Sequence, residues 1–201
     1  IEIKNISIVS IFEQIRKNTA VKVGCLSGSL VILPLTIEKI LLTNYMLDQK
    51  DFNVIELEGT SYGIYNFKGK NKEKVDIVSK LFEDGEINVL VGTQALLGEG
   101  WDSPCINSLI LASYVGSFML SNQMRGRAIR IDKNNHSKTA NIWHLVTIEP
   151  EYVFEENILN QVNAFISQDK NVMISYDYDT LSRRFDCFVG PNYETKEIES
   201  G

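Results

Sequence analysis

Cysteine is scarce and scattered. Cys25, Cys105 and Cys187 form no Cys-x-x-Cys pair, and only His136 and His144 could join them as ligands. This argues against a disulfide framework or a zinc site of familiar spacing and fits buried or incidental thiols in a reducing compartment. Long apolar runs are missing too: nothing approaches the roughly 18 consecutive apolar residues of a membrane helix, and no basic-then-apolar leader opens the chain. We therefore expect a soluble, cytoplasmic protein with no membrane partner. Positive charge is in deficit, and a net charge of −6 argues against gripping nucleic acid by bulk charge, so any phosphate contacts must be local. No internal repeat or low-complexity stretch is present. The chain opens on isoleucine, in mid-pattern, which suggests a fragment of a longer protein.

What is present is an alternation of strand and helix. With 201 residues the chain suits one domain plus an appendage, since a domain takes roughly 100–200. Ile8, Ile11, Phe12 and Ile15 recur at helical spacing and predict an amphipathic lead-in helix over 7–18. Leu30 to Leu33 is a continuous apolar run, the mark of a strand buried on both faces. Thr36 can cap a helix that carries Ile37, Ile40, Leu41 and Leu47 inward and ends near Lys50. Phe52 to Leu57 predicts a second strand, the polar, aromatic-flecked stretch 61–70 a loop, and Lys72 to Asp84 a helix closed by Gly85 in a left-handed cap. Further strands are expected at 88–91, 108–112 and 141–147, with a helix from Ser117 to about Arg130 between the last two. Pro150 breaks the pattern. Beyond it we expect a helix over 151–167 and short strands at 171–176 and 183–189. The alternation argues for an α/β fold with a mostly parallel sheet, organised as a lead-in helix and linker (1–24), a core domain (25–148) and an accessory α+β element (149–201).

One stretch carries chemistry. In open parallel sheets, ligands bind outside the carboxyl ends of the strands, where Thr93, the 98–104 loop and Ser117 fall. Gly98 and Gly100 would let backbone N–H groups approach an anion, and Asp102 could accept from a ribose hydroxyl. Taken alone, that loop reads more simply as a Gly-Asp-Pro turn. The helix that follows tilts the balance. Gln123, Arg127 and Arg130 are spaced i, i+4 and i+7 and share a narrow face at about 100° per residue. Leu120, Met124, Ala128 and Ile131 form the neighbouring anchoring stripe. No carboxylate stands three or four residues from either arginine, so a functional pair is favoured over a solvated basic face. Guanidiniums on a rigid element are what phosphoryl transfer uses to stabilise charge. The lysines at 68, 70, 72 and 74 read as a solvated loop and helix start. Arg183 and Arg184 among aromatics read as packing, His144 as a satisfied core histidine, and Trp101 as a wedge for its loop.

Together these residues resemble the C-terminal RecA-like domain of superfamily 2 DEAD/DEAH-like helicases. Thr93 with Gly98-Glu-Gly100-Trp-Asp102-Ser-Pro104 is similar to motif V, in the form found in type III restriction-type bacterial helicases. Gln123-Met-Arg-Gly126-Arg127-Ala-Ile-Arg130 is similar to the Gln-x-x-Gly-Arg-x-x-Arg pattern of motif VI, with Met124 where some members carry arginine. Leu30 to Thr36 stands where motif IV would. The resemblance covers roughly 25–148 and implies a RecA-like parallel sheet flanked by helices. It further implies that Arg127 and Arg130 reach the γ-phosphate of ATP, that Gln123 helps couple them, and that Gly100 and Asp102 touch the nucleotide. Thr93 would contact a nucleic-acid phosphate, with Thr36, Gly59 and Thr60 as further contacts to the same strand.

Neither a Gly-x-x-x-x-Gly-Lys-Ser/Thr phosphate loop nor an Asp-Glu magnesium motif occurs in these 201 residues. The implied partner is an N-terminal RecA-like domain of the same protein, holding Mg²⁺ and the ATP phosphates, and the implied substrate is DNA in preference to RNA. The chain alone should be inactive. The alternative is a non-catalytic α/β module that binds a nucleotide or a protein as a regulator. A third reading is a motor coupled to a nuclease.

Overall fold

The computed structural model describes residues 7–18, 20–95, 101, 103–112, 118–133, 135–146, 176–185, 189–191 and 194–200. In chain order the elements are α1 (Ile8–Asn18), β1 (Val23–Leu26), β2 (Val31–Pro34), α2 (Thr36–Thr43), β3 (Phe52–Glu56), β4 (Tyr62–Phe67), α3 (Asn71–Glu83) and β5 (Val89–Gly92). They continue with β6 (Ser108–Leu111), α4 (Phe118–Ala128), β7 (Asn141–His144), α5 (Tyr176–Phe185), β8 (Val189–Pro191) and β9 (Ile198–Ser200). The chain divides into two compact units, Ile1–Ile106 with Gly126–Lys138, and Asn107–Arg125 with Thr139–Gly201.

The first unit is an α/β sheet covered by helices on both faces, as the alternating pattern predicts. Its strand order is β3-β4-β2-β1-β5. Side chains alternate across a strand: Val23 and Cys25 join Phe12 of α1, Ile32, Tyr62 and Val91 on one face, and Leu26 points to the other. There Leu33, Ile37 and Leu41, then Phe52, Tyr65, Val78 and Leu81, form the larger core beneath α2 and α3. The ring edge of Phe12 meets Tyr62 with centroids 5.4 Å apart, so the lead-in helix is sealed into this core.

The expected parallel sense holds for β1–β5 and for β6–β7. The β1–β2, β2–β4 and β3–β4 pairings are antiparallel. The connections decide this. Ser27 donates its N–H to Leu30 O at 2.8 Å to turn β1 into β2, and a four-residue link can join only antiparallel neighbours, because a parallel crossover needs about a dozen residues or more. The Leu57–Ser61 turn does the same between β3 and β4, with Gly59 at φ +71° and Thr60 N–H bonded to Leu57 O at 3.0 Å.

Helix ends follow local chemistry. Gly85, at φ +75°, ends α3: its N–H bonds Phe82 O at 3.2 Å and that of Glu86 bonds Leu81 O at 2.9 Å, satisfying two orphan carbonyls. Thr36 does not cap α2. Leu35 holds the N-cap position and Thr36 is the first helical residue, with no side-chain cap bond; the helix also stops at Thr43, short of Lys50. The 61–70 stretch is a strand rather than a loop from Tyr62 to Phe67.

In the second unit β6 and β7 form a two-stranded parallel sheet and β8 and β9 an antiparallel one. Among the described residues both strands are edges of this sheet, and Ile110 and Trp143, register partners, are 60% and 59% exposed. Arg183 and Arg184 lie on a helix, α5, not on a strand. Asp177 and Asp179 in its first turn and these arginines in its last complement the helix dipole. The expected helix over 151–167 lies outside the described residues, as does all of the expected strand over 171–176 except Tyr176, which instead begins α5. No helix among the described residues is long and apolar enough to cross a membrane.

Candidate functional site

The parallel pair β1–β5 places the ends of both strands together. Leu26 and Gly92 are register partners, and Thr93, immediately after β5, donates its N–H to Leu26 O at 3.4 Å. On the same edge the Nζ of Lys74, in the first turn of α3, donates to Gly28 O at 2.7 Å, closing the β1–β2 turn against the helix. Thr93 is half-buried here. Because β2 and β3 run the other way, Thr36 and the Gly59–Thr60 turn fall at the opposite edge, joined there by Leu35 N–H to Ser61 O at 2.9 Å. The structure thus brings Thr36, Gly59 and Thr60 together and sets Thr93 apart from them.

Of the 98–104 loop, Trp101, Ser103 and Pro104 are described; Gly100 and Asp102 lie outside the described residues. Trp101 is 7% exposed, its ring tilted against Phe82, and its indole N–H donates to Ser79 Oγ. It is the expected wedge, seated against α3. Ser103 is fully buried, with its Oγ 3.3 Å from Cys105 Sγ.

Helix α4 carries the arginines differently from a single unbroken face. It ends at Ala128, so Arg127 stands in its last turn, half-buried, and Arg130 lies just beyond it. A turn closes the end, with Arg130 N–H on Arg127 O at 3.4 Å. Met124 and Ala128 are buried as the anchoring stripe requires, whereas Ile131, past the helix end, is 80% exposed. Gln123 is exposed and belongs to the second unit, Arg127 and Arg130 to the first.

The residue that sequence reasoning missed is Lys138. Its ammonium donates to Pro104 O at 2.6 Å, Ala128 O at 2.9 Å and Arg130 O at 2.8 Å. It joins the exit of the 98–104 loop to the C-terminus of the arginine helix. A lysine after a polar turn carries no sequence signal of which carbonyls it will reach.

In the second unit Phe185 packs between a cation and an imidazole. The Arg125 guanidinium lies 5.4 Å from its ring centroid, and His144 meets it edge-on at 5.4 Å. His144 is not the satisfied core histidine its strand suggested: its buried Nε2 has no hydrogen-bond partner among the described residues. Burial first, then the charges of Arg125 and Arg184, hold its pKa below the ordinary histidine value. Of the thiols, Cys25 is pushed up to about 11 by burial, which leaves it protonated and inert at neutral pH.

A family model described as the helicase conserved C-terminal domain matches residues 27–132. No curated protein and no solved structure matches the chain.

Proposed function

The chain belongs to the helicase conserved C-terminal domain family, and from that premise we propose that this helicase-type motor domain is the second half of an ATP-dependent nucleic-acid translocase or helicase acting on DNA. Arg127 and Arg130 would serve as the arginine fingers that reach the ATP γ-phosphate. Gln123 would couple them to closure, and Gly100 and Asp102 would touch the nucleotide. A guanidinium fork is always charged and matches phosphate oxygens in two-point geometry, so the donor set fits the ligand. The β-phosphate and Mg²⁺ would be held by an N-terminal RecA-like domain, and insertion of the arginines on closure would couple hydrolysis to a shift in grip.

Thr93 would meet a phosphate of the nucleic-acid strand through its hydroxyl, a contact that needs no bulk positive charge. Thr36 and the Gly59–Thr60 turn, at the other end of the sheet, would serve a separate stretch of strand. The observation that carries the reading is the junction at the end of α4. Arg127 and Arg130 flank a helix terminus that is tied to the exit of the glycine-rich loop. The Lys138 side chain thereby ties together two elements assigned to one nucleotide.

The experiment is ATP hydrolysis by the full-length protein with and without single-stranded DNA or RNA. DNA should stimulate turnover well above RNA. No hydrolysis with either would instead favour a non-catalytic nucleotide-binding regulator.

A further inference from the structure

A lysine ammonium has three hydrogens and no acceptor, and in Lys138 all three are directed at main-chain carbonyls. Ala128 is the last residue of α4, so its carbonyl is one of those a helix leaves without an internal donor. A cation there also complements the negative end of the helix dipole. Pro104 ends the glycine-rich loop, and Arg130 is itself one of the two arginines in question.

The turn that returns Lys138 to this point is built for it. Asn135 N–H bonds Asp132 O and Lys138 N–H bonds Asn135 O, both at 3.2 Å. Asn135 Oδ1 accepts from Ser137 N–H at 3.2 Å and Ser137 Oγ at 2.9 Å. Past Ala128 the helical ladder no longer fixes the backbone, and the Arg130 N–H to Arg127 O bond is long. Lys138 supplies the missing definition from the carbonyl side.

We propose that Lys138 is the positioning residue for Arg127 and Arg130, setting the height and direction of both relative to Pro104. This rests on the reading of those arginines as the groups that reach ATP. Misplacement of a reacting group by about 1 Å can cost on the order of 100-fold in rate, so losing one brace among several contacts should cost about tenfold.

The test uses the full-length protein carrying Lys138→Met, which keeps the apolar stem and removes the donors, and Lys138→Arg, which keeps charge and donors. Each is made alone and with Arg127→Ala. Lys138→Met should lower nucleic-acid-stimulated kcat about tenfold with KM for ATP within about twofold, and Lys138→Arg should recover most of the loss. In the Arg127→Ala background the same Met substitution should cost about threefold rather than tenfold, because one of the two groups it positions is gone. Amide exchange over 126–132 should quicken while that of α3 stays unchanged. If Lys138→Met does not fold, Lys138→Gln is judged on the same criteria.

An unchanged kcat, or equal losses in both backgrounds, would overturn the role of Lys138 alone. Full activity of Arg127→Ala would overturn the reading of the site, and the role of Lys138 with it.

Discussion

The indole N–H of Trp101 donates to the hydroxyl of Ser79, one turn before the end of α3, so Trp101 is pinned to a helix of the core by a buried hydrogen bond. Ser79 in turn donates to Val75 O at 2.7 Å. Replacing Ser79 by alanine leaves a buried N–H without its partner, a loss of about 1–3 kcal/mol. Trp101→Ala, which empties the space against Phe82 as well, should cost about 3–5 kcal/mol. Urea unfolding of the two variants checks the order, and equal stability of Ser79→Ala and the parent would show that the bond contributes nothing.

Two glycines should respond to alanine for different reasons. A Cβ at Gly63 would stand 2.7 Å from Val54 Cγ1 and 3.0 Å from Leu35 Cδ2, so Gly63→Ala overpacks the β3–β4 ladder and should cost about 1–3 kcal/mol. A Cβ at Gly59 meets nothing, but its φ of +71° is left-handed, so Gly59→Ala carries only the backbone penalty of about 1–2 kcal/mol. Thermal unfolding of Gly63→Ala should stay low when a second substitution, Val54→Ala, makes room only if backbone strain rather than the clash is the cause. We expect partial rescue.

Glycine also explains what the sequence hid. The helices α1 and α3 and the cap at Gly85 were legible because apolar spacing and a left-handed stop are local signals. Strand β1 was not, because Gly24 interrupts a four-residue run; it is there because a side chain would press on Ile87 Cδ1 at 3.0 Å. Strand β4 reads as a loop through Gly63 and Asn66, yet it pairs on both sides, with β2 and β3. With β1 and β4 unseen, the short hairpin links and hence the antiparallel pairings were invisible too. That reversal moved Thr36 and Gly59–Thr60 to the edge away from Thr93. At the site, the helix around Gln123 and Arg127 was legible, while its end at Ala128 was not, because that end is stabilised by Lys138, a contact between residues ten apart.

His144 predicts a pH dependence. A folded-state pKa below the usual histidine value means that the unfolded chain binds more protons, so stability rises with pH. Stability contributed by keeping His144 neutral is present above the unfolded pKa of about 6.5 and is lost as pH falls through and below it. The melting temperature should therefore drop more between pH 7.5 and pH 5 in the parent than in His144→Gln. An NMR titration midpoint at or above the free-histidine value would contradict the account.

The lead-in helix should be a structural part of the first unit. Phe12 is fully buried against Tyr62, and Phe12→Ala should destabilise the unit by about 3–5 kcal/mol. Chemical denaturation that shows less than about 1 kcal/mol would mean that α1 is a detachable appendage.

Arg127 is proposed to act on an ATP phosphate held jointly with a second, N-terminal domain. The most direct measurement is single-turnover ATP hydrolysis by the nucleic-acid-bound full-length protein, comparing the parent with Arg127→Ala and Arg127→Lys. Removal of a finger is worth about 10³–10⁵ in rate where it has been measured, so we expect Arg127→Ala to lose on the order of 10³. Lysine, without the planar fork, should restore little, and ATP affinity should change far less than the rate. Hydrolysis by Arg127→Ala at the parental rate would contradict the account.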